Sequence, residues 1–181
     1  MMAIKVPSVR NHGDSNVEPF EIYFQRWPKA LSNFPPCVIK NWVHRHWREF
    51  SAWLKFDLET FEFKSAQFSN PEIMAIGHFD DWFRTLDYWG DDLFKDELRR
   101  STWLASFMLK YGTSPAPIIV AINADQVKHP LGGFLKTPSH LIEGHMRLAY
   151  LRGMIRHNHP TLKDSHAVWQ LYLPVSKSAS N

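Results

Sequence analysis

The segment Leu141-Ile142-Glu143-Gly144-His145-Met146-Arg147 constrains the fold more than any other. A short apolar run closes on an acidic residue and a glycine, and a helical pattern follows at once. This order reads as a strand turning directly into a helix. Glycine permits the tight turn and lets a ligand approach the backbone closely. The first amides of the new helix have no partners within it, and the helix dipole adds positive potential there. The turn is therefore expected to hold an anion. Arg147, in the first helical turn, can reach back as a bidentate phosphate clamp, and His145 offers another donor. Glu143 adds a carboxylate that could hold a metal, take a ribose hydroxyl or act as a base. Packing and capping are the competing reading, because many short strand-to-helix turns carry a glycine and a nearby arginine.

The rest of the chain supplies a frame for that turn. Ile118-Ile119-Val120 and His140-Leu141-Ile142 read as buried strands, and Val168–Val175 as a last one. The spacing predicts helices from Pro35 through Leu54, from Ser69-Asn70-Pro71-Glu72 onward, over Thr102–Leu109 with a stop at Gly112, and over His145–Arg156. Phe20–Phe24 reads as a short extended segment and Thr60–Phe68 as a strand. Residues 80–100 read as a helix, a turn at Gly90 and a connector. Residues 123–139, with Pro130, Gly132, Gly133 and Pro138, form a loop long enough to suggest function. Together these give an α/β fold (α+β in a strict scheme): a small mixed sheet with a helical N-terminal extension. The expected divisions are a mobile arm over 1–18, an aromatic-rich extension over 19–100, the sheet domain over 101–175 and a polar tail over 176–181.

Charge and composition narrow the function classes. The net charge of +3 is too small to imply nucleic acid, but residues 101–181 carry eight Lys or Arg against three Asp or Glu, leaving −2 for the remainder. The basic half is the half expected to meet an anionic ligand. Eight Trp and thirteen Phe are expected mostly in a core or an interface. The single cysteine, Cys37, excludes an intramolecular disulfide and fits a reducing compartment. No stretch has the 18 or so apolar residues of a membrane span, and Met1 to Asn16 lacks the apolar core of a secretory leader. A cytoplasmic location with no membrane association is expected.

Glu143-Gly144-His145-Met146-Arg147-Leu148 resembles the acidic-Gly-x-x-Arg signature of the ParB/sulfiredoxin superfamily. Gly112-Thr113-Ser114-Pro115-Ala116-Pro117-Ile118-Ile119-Val120 is similar to the "PIxV" segment that follows a glycine-ended helix in ParB-type domains. The resemblance covers residues 101–175. It implies nucleotide binding, with Gly144, His145 and Arg147 at the phosphates of a nucleoside triphosphate (ATP or CTP) accompanied by Mg²⁺. It also implies hydrolysis or phosphoryl transfer, with Glu143 and His145 as the catalytic candidates. Two departures narrow it. Sulfiredoxins carry a cysteine just after the motif glycine, where this chain has His145. Partition-type ParB proteins continue into a helix-turn-helix region, which does not follow Val175 in this sequence.

Other groups are weaker. Asp80-Asp81 and Asp91-Asp92 lack the alternation of a calcium loop, and His157-Asn158-His159 with His166 completes no recognisable metal pattern. No metal site is expected. Lys40, Arg45 and Arg48 beside Trp42 and Trp47 could grip single-stranded nucleic acid, but a packed aromatic stripe is the stronger reading. Two alternatives to a nucleotide enzyme stand. One is a non-catalytic protein that binds a partner, or a second copy of itself, through its aromatic extension. The other is a DNA-binding protein or nuclease.

Overall fold

A computed structural model describes residues 4–125 and 127–174, with backbone alone at positions 80 and 81. After α1 (Phe20–Gln25) the chain coils through a run of short helical segments, broken by a turn at Arg45 and His46. This comprises α2 (Pro36–Val38), a π-helical turn (Ile39–His44), α3 (Trp47–Ser51) and a 3-10 turn (Ala52–Lys55). Then follow β1 (Glu62–Ser69), α4 (Asn70–Ala75), α5 (Asp80–Lys95), α6 (Glu97–Ser101) and α7 (Trp103–Tyr111). The chain closes with β2 (Ile118–Ile122), β3 (Ser139–Glu143), α8 (His145–Arg156) and β4 (Ser165–Tyr172). This is the mixed α/β class the sequence predicts.

The four strands form one sheet in the order β1-β4-β2-β3. β1 and β4 pair antiparallel over their full lengths, from Glu62 opposite Tyr172 to Ser69 opposite Ser165. β4 and β2 are parallel, with Ile118 opposite Val168, and β2 and β3 are antiparallel. Residues 62–69, expected within an extension, thus provide an edge strand of the same sheet.

Both faces of the sheet are covered. Because successive side chains in a strand point to opposite faces, Ile119, Ala121, Ile142 and Leu171 enter one core. Ile118, Val120, Leu141 and Val168 enter the other. The first core is the aromatic layer built by residues before β1, with Tyr23, Phe34, Trp42, Phe50, Trp53 and Phe61 buried in it. The second holds α4, α5, α7 and α8 through Ile73, Leu86, Leu93, Met108, Leu148 and Leu151. A sheet buried on both sides needs strands without polar alternation, which is why β2 reads Ile-Ile-Val-Ala-Ile.

Several local expectations change. Residues 4–18 are anchored at a few points: Val6 and Val9 are buried, Tyr23 Oη donates to Pro7 O, and Arg26 pairs with Glu18, while most of residues 10–17 are exposed. Phe20–Phe24 is helical, because Phe20 and Phe24 stack one turn apart while Tyr23 faces the core. Gly90 lies inside α5. A Cβ there would run into Ala149 O, and one on Gly153 would run into Gly90 O, so these two glycines let α5 and α8 cross in contact. Arg152 and Arg156 lock the crossing through Asp87, and Arg156 also pairs with Asp91. The last strand ends at Tyr172, and Val175 and the tail lie outside the described residues. Among the described residues no helix is long and apolar enough to cross a membrane.

Candidate functional site

The turn between β3 and α8 is built as the sequence suggests, but its arginine is spent differently. Gly144 has φ 104° and ψ 32°, a left-handed conformation that disfavours any side chain. A Cβ there would also lie 2.6 Å from Ile118 Cγ2. No side chain caps the helix that follows, so its first amides lack the usual capping acceptor. Arg147 turns inward. Its Nη1 donates to Ala116 O at 3.0 Å and Pro117 O at 2.9 Å, and its Nη2 donates to Glu143 Oε2. Glu143 and Arg147 are only 7% and 9% exposed. The other oxygen of Glu143 faces His46 Nε2 at 3.4 Å. Three of the five guanidinium donors are thus committed within the protein. The expected bidentate phosphate clamp is instead a brace that fastens the turn to the segment leading into β2.

A cleft of about 550 Å³ opens over this turn. Glu143 to Arg147 form one side of it, and Trp103 and Leu104 of α7 form another. The helical stretch before β1 contributes Lys40, Arg45, His46 and Glu49. Lys40, within the π-helical turn, and Arg45, just after it, are exposed and make no ion pair among the described residues. Short π segments recur at functional sites, because the extra residue re-aims the side chains around it. Trp103 is 68% exposed. The sequence places Lys40 and Arg45 on a helix with tryptophans, yet Trp42 is buried and Trp47 is packed against the aromatic core. The exposed aromatic beside these cations comes from α7 instead.

Behind the turn lies a cluster of histidines that no local spacing announces. His78, His129 and His140 gather around His145, with ring centroids 5.0 Å apart for His78 and His145 and 5.2 Å for His78 and His140. His129 stands 6.4 Å from His140. His78 Nε2 and His145 Nε2 are 2.9 Å apart. Burial is the main cause that lowers their pKa values, to about 3 for His140 and about 4 for His78, His129 and His145. They are neutral imidazoles at physiological pH. The four come from three parts of the chain, with only His140 and His145 near one another in sequence, so the main sequence signal is that the protein has many histidines.

Other sequence candidates have structural roles. His166 is buried between Thr113 Oγ1 and Asn70 Oδ1, both at 2.9 Å, and His157 stacks on Phe94 at 4.2 Å. His44 is held by Glu18 O at 2.6 Å. Cys37 Sγ accepts from Trp169 Nε1 at 3.0 Å. Among the described residues no group of three or more His, Cys, Asp or Glu is placed to hold a metal ion. Set against known proteins, the chain matches no family model, no curated protein and no solved structure.

Proposed function

We propose that the cleft over the β3–α8 turn binds the phosphate end of a nucleotide, as the ParB/sulfiredoxin-like motif at Glu143–Arg147 implies. One observation carries this reading. A twelve-residue helix begins at a left-handed glycine without a side-chain cap, and it does so in a cleft that also contains two cations, Lys40 and Arg45, with no ion-pair partner among the described residues. The amides of His145, Met146 and Arg147 with those two side chains form the phosphate-binding set. Trp103 offers a face on which a base can stack. Arg147 and Glu143 hold the turn in shape rather than touch the ligand.

The reading favours binding over hydrolysis or phosphoryl transfer. Both oxygens of Glu143 face positive or ionisable groups of the protein, so the carboxylate is poorly placed to hold Mg²⁺ or take a proton. Neutral His145 has no proton to give as an imidazolium. Much of the aromatic extension covers the sheet, while Phe24, Trp82 and Tyr88 within it stay exposed.

Calorimetric titration with ATP, CTP and GTP, each with and without Mg²⁺, tests the proposal. The wild-type protein binds at least one of them. Lys40→Ala and Arg45→Ala each weaken binding about tenfold or more, since a charge-assisted hydrogen bond contributes about 1.5–3 kcal/mol. Their melting temperatures stay close to wild type, because among the described residues neither side chain has an ion-pair partner and Lys40 loses only an exposed contact over the Phe20 ring. Absence of binding by all three nucleotides would refute the reading.

A further inference from the structure

The hydrogen bonds around the buried histidines fix which ring nitrogen of each carries the proton. Phe79 N donates to His78 Nδ1 at 2.7 Å, Leu131 N donates to His129 Nδ1 at 3.2 Å, and Lys136 N donates to His140 Nδ1 at 3.0 Å. A nitrogen that accepts a hydrogen bond carries no proton, so in each neutral ring the proton sits on Nε2. His78 therefore presents Nε2–H to His145 Nε2, 2.9 Å away. His145 must accept there, and its own proton is displaced to Nδ1. Among the described residues no acceptor is recorded for that Nδ1–H. His145 is partly exposed and lines the cleft.

We infer that His78 is a positioning residue: by donating to His145 Nε2 it holds His145 in the neutral Nδ1–H form, so a hydrogen-bond donor rather than a cation stands at the start of α8. The relay has one direction, from the Phe79 amide through His78 to His145, a residue that lines the cleft. A proton added to His145 would set Nε2–H against the Nε2–H of His78. A proton added to His78 would set Nδ1–H against the Phe79 amide. Either addition breaks a bond that the buried segment cannot replace. The same logic applies to His140, whose Nε2 is buried without a partner.

The surroundings act in the same sense. Desolvation by burial is the largest cause that disfavours a cation on His145. The Arg147 guanidinium opposes it as well, and His78, His46 and His129 would do so wherever they took up protons themselves. The use made of the donor rests on the phosphate-cleft reading. A neutral Nδ1–H adds a directed hydrogen bond to an anion already met by the helix amides, Lys40 and Arg45. Recognition then gains geometry without gaining a charge that varies with pH.

Two measurements on the full chain test the two halves separately. Long-range ¹H–¹⁵N NMR of the imidazoles at pH 7 is expected to show His145 with a protonated Nδ1 and a bare Nε2. In His78→Phe the donor is gone and His145 shifts toward the Nε2–H form. In His78→Gln the side-chain amide can donate in place of the imidazole and restores the wild-type pattern. A wild-type His145 protonated on Nε2, or on both nitrogens, at pH 7 would overturn the inference without reference to any variant. Sulfate is the probe for the second half, because it stays a dianion across the range studied. Its affinity for the wild-type protein should change little between pH 8 and pH 5.5, while in His78→Phe it should be about three- to tenfold weaker at both ends of that range, because burial still keeps His145 neutral but its Nδ1–H donor is no longer fixed. Failure of sulfate to bind at all, with the Nδ1–H form observed, would remove the phosphate cleft and leave the His78 relay standing. Sulfate affinity that climbs with acid in the wild-type protein would overturn the role given to the neutral donor.

Discussion

The guanidinium of Arg147 satisfies the carbonyls of Ala116 and Pro117 and neutralises Glu143 in a nearly closed space. Removing it would strand a buried carboxylate and two carbonyl oxygens. Breaking such a pair from one side costs about 3–5 kcal/mol, so Arg147→Ala should lower the unfolding free energy by about that much in a urea titration. Arg147→Lys should restore little of it, because an ammonium cannot span three acceptors set in a fork. A loss below about 1 kcal/mol would show that the brace is not structural. The sequence singles out this arginine but cannot assign its direction. A side chain in the first turn of a helix can face a ligand or fold inward. The choice is made by Ala116 and Pro117, about thirty positions away, which bring their carbonyls beneath it. The histidines illustrate the same gap, since His78 and His145 meet only because Gly77 bridges to β3 and carries the next residue over the start of α8.

Elements whose signals are local are legible in the sequence. α4 begins at Ser69 with a capping box to Glu72, and α7 runs from the Thr102 cap to left-handed Gly112. β2, β3 and α8 fall where their apolar periods place them. Elements fixed by distant neighbours are not. Gly90 resembles a helix stop when only its own window is considered, but its purpose is to admit Gly153 of another helix. The π-helical turn that flanks the cleft with Lys40 and Arg45 follows from packing of the aromatic layer and has no sequence mark of its own. Adding a methyl group at the glycine crossing tests how tightly α8 is held. Gly153→Ala should destabilise by about 2 kcal/mol or more despite alanine's better helix propensity, because overpacking a close contact costs about 1–3 kcal/mol and forces the helices apart. A stabilised variant in thermal unfolding would contradict the close crossing.

The whole molecule is a three-layer arrangement, aromatic layer, sheet and helices, with its candidate cleft at the edge of the aromatic layer, beside α7 and the start of α8. This layering explains why so many tryptophans and phenylalanines precede β1, and why the chain's aromatic content says little about ligands. It also makes stability depend on pH. The buried histidines are neutral when folded and have pKa values depressed to about 3 or 4, whereas the unfolded chain takes up protons near pH 6.5. Their contribution is complete above about pH 6.5 and is lost as the pH falls from there toward 4. Unfolding free energy should therefore fall by at least about 2 kcal/mol between pH 7 and pH 5, measured by urea titration. A flat profile would mean that the histidines are solvated. Phosphate binding at the start of α8 is read best by backbone amide NMR during titration with ATP, CTP and GTP in turn. At least one of them should give saturable shifts centred on His145, Met146 and Arg147, lost together in the Lys40→Ala, Arg45→Ala double variant. Shifts confined to other parts of the chain, or none with any of the three at millimolar concentration, would refute it.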